Sequence, residues 1–192
     1  MALFPLGILS AAGAGGLVAV PAFEQISTTI LANNNSAQVQ LTSGGVWSNY
    51  RHLQLRIVAR QYWASGAATG SNLRFTFNNT GTTYRTHFLR GNGSANASGE
   101  DASNAALNRI PISTSVTSSE FGSMVIDILD INSTSKNKTM RSIGGMVFSY
   151  GNWIDLSSAA WYSTNAITSI EVNGSSGNLG AGTRISLYGI RG

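Results

Sequence analysis

Between Tyr50 and Gln61 apolar and polar side chains alternate, with Leu53, Leu55, Ile57 and Ala59 on one side and His52, Gln54, Arg56 and Arg60 on the other. Successive side chains of a β-strand point to opposite faces of its sheet, so this period of two predicts a half-buried strand of an antiparallel sheet. It is the longest such run in the sequence, and it predicts a central strand whose apolar side defines a core. No segment sustains a helical period over ten residues.

Composition agrees. Only 10% of the residues are charged, against about a quarter in an average soluble domain. The polar mass is instead Ser, Thr, Asn and 22 glycines. Ser, Thr and Asn compete with the helical backbone for hydrogen bonds and Gly weakens it, so the mixture favours strands and tight turns. With 42% hydrophobic residues in a chain of 192, one all-β domain with a proper core is expected.

The remaining strands read in the same way. Phe23 to Leu31 alternates, Asn33-Asn34-Asn35-Ser36 is a turn by composition, and Val39 and Leu41 mark a second strand closing a hairpin. A Gly/Ala-rich loop follows from Ala64 to Gly70. Leu73, Phe75 and Phe77 then form a strand ending at Asn78-Asn79-Thr80-Gly81, and Tyr84 to Leu89 forms another. Arg90-Gly91-Asn92-Gly93-Ser94 opens a long polar loop to about Ser103, and Ala105 to Ile112 fits either a short strand or one helical turn.

Phe121 to Asp130 is apolar on both sides, which suits a strand covered on both faces. Lys138 to Phe148 carries Gly144-Gly145 as a bulge or bend, and Gly151–Tyr162, Ala166–Val172 and Thr183–Ile190 complete the set. About nine or ten strands at regular spacing predict an all-β fold, a single antiparallel two-sheet sandwich of jelly-roll type. Residues 23–192 form the sandwich and residues 1–22 an extended N-terminal arm. Leu53, Leu55, Ile57, Leu73, Phe75, Phe77, Ile126, Ile128, Ile185 and Leu187 are expected in the core.

Chemistry is sparse. Net charge is +4, carried mostly by arginines spread singly along the chain rather than gathered into the patch a nucleic-acid binder needs. No nucleic-acid partner is expected. The outward strand arginines Arg56, Arg60 and Arg74, with the carboxylates Asp127 and Asp130, are candidates for pairing between subunits. The absence of cysteine excludes disulfides and thiolate metal sites. His52 and His87 are the only histidines, and no G-x-S-x-G elbow accompanies them. Asp127 and Asp130 point to opposite faces if they share a strand, so they make no acid–base pair by themselves. Gly13-Ala14-Gly15-Gly16 and Gly91-Asn92-Gly93-Ser94 lack the Lys-Ser/Thr ending of a phosphate loop. Trp47, Trp63, Trp153 and Trp161 suit core or interface anchoring better than glycan stacking. No catalytic residue, cofactor or metal is expected, and the protein reads as a non-enzyme.

The first ionisable side chain is Glu24. Residues 1–20 lack the basic start of a secretory signal, and Pro5, Gly7, Gly13, Gly15 and Gly16 oppose a membrane-spanning helix, so no membrane partner is expected. An uncharged arm with an apolar head (Phe4, Leu6, Ile8, Leu9) and a Gly/Ala hinge is a liability on a lone molecule. It is expected to lie against a partner chain.

Five stretches together carry a resemblance. They are Phe4-Pro5-Leu6-Gly7-Ile8-Leu9, Tyr50-Arg51-His52-Leu53-Gln54-Leu55-Arg56, Leu89-Arg90-Gly91-Asn92-Gly93-Ser94, Asp127-Ile128-Leu129-Asp130 with Asn137-Lys138-Thr139, and the ending Arg184-Ile185-Ser186-Leu187-Tyr188-Gly189-Ile190-Arg191-Gly192. Their order resembles small structural proteins of tailed bacteriophages, which end in a similar aromatic-Gly-Ile-basic-Gly tail. The resemblance implies a virion component, similar to capsid decoration (cement) proteins or to fibre-tip jelly rolls. The implied partners are other virion proteins, the major capsid protein first, with the chain itself a homotrimer. That family has no settled catalytic residues, so none is carried over. A fibre tip usually follows a shaft of heptads or repetitive β stem, whereas only about twenty apolar and glycine-rich residues precede the first strand here. That contrast favours a cement protein over a tail-fibre or tail-associated receptor-binding, glycan-binding module.

Overall fold

The computed structural model describes residues 21–34, 36–63, 70–101, 105–111, 119–148, 151–175 and 177–192. Within them the strands are β1 (Phe23–Ile30), β2 (Gln38–Thr42), β3 (His52–Ala59), β4 (Gln61–Tyr62), β5 (Gly70–Phe77), β6 (Tyr84–Gly91) and β7 (Asn96–Asp101). They continue as β8 (Ala105–Pro111), β9 (Gly122–Leu129), β10 (Lys138–Phe148), β11 (Gly151–Trp161), β12 (Ser169–Gly174), β13 (Asn178–Leu179) and β14 (Arg184–Ile190). A single 3-10 turn at Val46–Asn49 is the only helical element among the described residues. No helix there is long and apolar enough to cross a membrane.

Eight strands pair as the two halves of one long ribbon would: β1 with β14, β2 with β12, β3 with β9, and β5 with β8, all antiparallel. Wrapped around a core, these couples fall alternately into two sheets, β1-β14-β3-β9 and β2-β12-β5-β8. That is the jelly-roll arrangement. Two hairpins are inserted into it, β6–β7 between β5 and β8, and β10–β11 between β9 and β12. Both extend the first sheet, which runs β1-β14-β3-β9-β10-β11-β6-β7. The alternating run that anchors the sequence is β3, placed between β14 and β9.

All ten expected core residues are buried. Leu53, Leu55, Ile57, Ile126, Ile128, Ile185 and Leu187 line the inner face of the large sheet, and Leu73, Phe75 and Phe77 that of the small one. Phe77 packs edge-on against Trp161, with centroids 5.6 Å apart, and Trp161 stacks with Tyr84 at 6.2 Å. The Tyr84 hydroxyl accepts the Phe77 backbone N–H at 2.7 Å. Burial pushes its phenol up to about 12. Met146, Phe148 and Trp153 form a separate small cluster.

Several local expectations are corrected. The chain from β1 to β2 is no hairpin, because β2 pairs with β12 in the other sheet; alternation assigns faces to a strand but not partners. The stretch expected as polar loop contains β7, an edge strand paired with β6. An edge strand has only one neighbour and needs no apolar alternation. The register of β10 with both β9 and β11 runs through Gly144 and Gly145 without a break, so there is no bulge. β9 is buried on its Met124, Ile126, Ile128 side only, and Val125 and Leu129 are half-exposed. Ala105–Pro111 is a strand rather than a helical turn. Of the loop expected at Ala64–Gly70, residues 64–69 lie outside the described residues.

The ending Tyr188-Gly189-Ile190-Arg191-Gly192 is accounted for by packing. The Tyr188 ring stacks on Phe23 at 4.9 Å. Gly189 leaves room for the Tyr50 ring, which a Cβ at that position would overlap. The Arg191 guanidinium covers Tyr50 at 4.7 Å from its centroid and donates to Glu24 Oε2 at 3.1 Å, beside the Tyr50 hydroxyl, which donates to the same oxygen at 3.0 Å. Gly189→Ala is therefore expected to displace the ring and lower unfolding free energy by about 1–3 kcal/mol. A urea midpoint equal to wild type would show that the ring moves aside freely.

Candidate functional site

The outer face of the large sheet is the distinctive surface. Following the registers across the sheet, side chains on this face form rows perpendicular to the strands. One row runs Tyr188, Gln54, Asp127, Arg141, Ser158, His87, Glu100. The next runs Ser186, Arg56, Val125, Ile143, Leu156, Leu89, Ser98, and the one after it Arg184, Val58, Ser123, Gly145, Ile154, Gly91, Asn96.

The polar row satisfies itself. Asp127 accepts hydrogen bonds from Gln54 Nε2 at 2.9 Å and Arg141 Nε at 3.0 Å. Gln54 Oε1 accepts from Arg56 Nε at 3.0 Å, and the Arg56 guanidinium lies over the Phe23 and Tyr188 rings at 5.4 and 5.0 Å. At the far end Arg85 donates to Glu100 Oε1 at 2.8 Å, and His87 Nε2 lies 3.1 Å from Oε2. Ser158, His87 and Glu100 are the residue types of a hydrolytic triad on adjacent strands. No hydrogen bond joins Ser158 to His87, Glu100 is shared with Arg85, and His87 is largely exposed. The row therefore lacks the bonded chain that activates a serine.

Beside it lies an apolar trough of about 770 Å³. Its floor is low because Ser123 and Gly145 are small, and a Cβ on Gly145 would overlap the Trp153 carbonyl oxygen. Val125 and Ile143 form one wall, and Phe121 and Val147 the other. Val147 is 78% exposed and Ile154 61%, and Leu89, Ile143, Leu156 and Val58 are also open to solvent. Core-quality side chains thus cover an outward face. This surface was legible only in part: β9 is apolar on both sides, but the contributions of β3, β10, β11 and β6 join only through the registers.

The sequence-derived candidates scatter. Arg56 and Asp127 meet in the polar row through Gln54. Asp130 sits apart, bonded to Arg51 Nε at 2.9 Å and Lys136 Nζ at 3.2 Å. Those bonds, Arg51 first, hold its carboxyl below the usual carboxylate range. Arg60 is corrected: it is buried, not outward, and its side chain donates to the Ala181 carbonyl at 3.1 Å and to Asn34 Oδ1 at 3.0 Å. It stands between β3 and β4, where the alternation of β3 has ended. Arg74 is half-buried on β5 of the small sheet. The arm residues Phe4, Leu6, Ile8 and Leu9 lie outside the described residues. His52 Nδ1 accepts the Asp130 backbone N–H at 2.9 Å, which ties the end of β9 to the start of β3. Trp47 and Trp161 are core anchors, and Trp63 is exposed.

Among the described residues no group of three or more His, Asp or Glu side chains is placed to hold a metal ion. No family model matches the chain, and no curated protein matches it. Among solved structures, the chain is similar to the CBM2 module of the Lactobacillus casei BL23 phage J-1 evolved Dit. The likeness has 10% identity and a TM-score of 0.19, and it covers 86% of this chain and 77% of that one. At that level it carries no argument about function.

Proposed function

We propose that the protein is a non-enzymatic structural component of a bacteriophage virion, a capsid decoration (cement) protein that clamps neighbouring shell subunits as a homotrimer. The observation that carries this reading is the outer face of the large sheet, where an apolar trough lies beside a polar row whose charges are already paired. A surface of exposed Val, Ile and Leu side chains on a sheet with a complete core beneath it is suited to burial against another chain. Three copies in a closed ring would make each contact heterologous without leaving an open end. The major capsid protein is the partner proposed for the clamp.

The test is occupancy. Purified particles are expected to hold the protein in copies on the order of hundreds, as a symmetric shell requires. A few dozen or fewer would move it to the tail. Val147→Asp combined with Ile154→Asp is expected to leave unfolding free energy within about 0.5 kcal/mol, since both side chains already face solvent. The same pair should abolish incorporation into particles. Normal incorporation of a folded double variant would sink the interface reading. Light scattering of the full chain is expected to give a trimer mass.

A second reading rests on the exposed Phe23 ring and the half-buried Tyr188 ring stacked on it, which lie beside Arg56 and Gln25 on the same face. Stacked rings with neighbouring hydrogen-bonding groups suit sugar recognition, and would make this a tail-associated, glycan-binding module. Phe23→Ala would then abolish retention on host polysaccharide without changing particle incorporation.

A further inference from the structure

Resting on the assembly reading above, the geometry points to one occupant for the trough: residues Phe4–Leu9 of a neighbouring copy of this chain. Length, chemistry and chain direction support it independently. The row lining the trough crosses from Arg184 on β14 to Ile154 on β11. That is four strand spacings, about 19 Å. Phe4-Pro5-Leu6-Gly7-Ile8-Leu9 has six residues, about 20 Å when extended.

The chemistry matches as well. An extended segment turns alternate side chains to one face, which places Phe4, Leu6 and Ile8 together toward an apolar floor. Pro5 carries no N–H to leave unpaired against that floor, and Gly7 permits close backbone approach. Neither the segment nor the centre of the trough (Val125, Ile143, Gly145, Ile154) bears a charge.

Direction selects a neighbour's segment over the chain's own. β1 runs from the Ile190 end of β14 toward Arg184, that is, toward the trough row. The residues ahead of Phe23 therefore leave at the opposite end of the sheet. The Arg191 N–H donates to the Ala22 carbonyl at 2.9 Å and carries the ladder one step further that way. From Ala22, the chain's own trough centre lies about 28 Å back, diagonally across four strands. Twelve residues lie between Leu9 and Ala22, and the thirteen steps reach about 43 Å when extended. The length would suffice, but that path reverses the chain and crosses the polar row Tyr188, Gln54, Asp127, Arg141, whose groups are already bonded. A path that continues outward, to a neighbouring copy, would carry neither cost.

The chain has no cysteine, so engineered thiols report contacts without background. Two full-length versions of different mass, one carrying Leu6→Cys and the other Val147→Cys, are co-expressed and mildly oxidised. The expected result is a heterodimer band on a non-reducing gel, and its loss when Ile154→Asp is added to the Val147→Cys chain. A Leu6→Cys, Val147→Cys double variant that oxidises only within one chain, at monomer mass, overturns the inference in favour of the chain's own arm. No Leu6–Val147 bond of either kind, from chains that still reach trimer mass and enter particles, overturns it while leaving the cement reading intact. Chains that neither associate nor enter particles overturn both.

Discussion

Replacing Phe77 by alanine is expected to remove about 3–5 kcal/mol of unfolding free energy, the range for deleting a buried aromatic ring. Phe77 is fully buried, and its ring is the hub between Tyr84, at 6.1 Å, and Trp161, at 5.6 Å. The three come from β5, β6 and β11, so the cavity would open where the small sheet meets the inserted hairpins. The neighbours are held by more than contact: the Tyr84 hydroxyl is bonded to the Phe77 backbone, which the substitution leaves in place. The walls therefore collapse little, and the cost falls toward the upper end of the range. A domain of this size has only about 5–15 kcal/mol in hand. Urea unfolding of Phe77→Ala checks the value, and a loss below about 1 kcal/mol would mean that the cluster repacks.

The second large effect is at Lys138. Its side chain is buried at the start of β10, and its ammonium donates to three backbone carbonyls: Ser133 at 2.6 Å, Lys136 at 3.1 Å and Thr164 at 3.3 Å. One cation thereby fastens the β9–β10 connection to the segment between β11 and β12. Lys138→Met keeps the length of the stem and removes all three donors. Buried acceptors left without partners cost about 1–3 kcal/mol each, and partial rehydration recovers some of that, so a net loss of about 2–4 kcal/mol is expected.

A pH profile separates this role from simple packing. Burial lowers the Lys138 ammonium below the usual lysine range, with Asp130 opposing the shift. The unfolded chain then holds that proton more tightly than the folded one. Stability accordingly rises with pH between the folded value and the ordinary lysine value, where the charge is lost from both states. Lys138→Met is expected to lack that alkaline rise. A variant that keeps it, or that unfolds within about 1 kcal/mol of wild type, would contradict the fastening role.

Much of the fold was legible because a half-buried strand writes its burial into the sequence. Leu53, Leu55 and Ile57 had to face the core once β3 was a strand, and the same held for Leu73, Phe75 and Phe77. β7 escaped because Asn96–Asp101 is an edge strand with no apolar side to betray it. Arg60 was misplaced because one residue beyond the end of β3 the period no longer holds. The candidate surface was least legible of all. Val58, Val125, Ile143, Leu156 and Leu89 each look like a single apolar residue on a mixed strand, and Gly145 looks like a break.

The sequence by itself determined the class of fold, the inward set of side chains and the absence of thiol chemistry, since these follow from alternation and residue type within short windows. Pairing was decided only by the tertiary structure. β1 meets β14, and β10–β11 meets β6–β7, across long stretches of chain. Local periodicity is blind to such partners, because the backbone hydrogen bonds that choose between them are the same for every strand. Only when those pairings are made do Val58, Val125, Ile143 and Ile154 line up beside Ser123 and Gly145 into one trough. The surface proposed here for assembly is therefore a property of the registers, and no segment of the chain carries it alone.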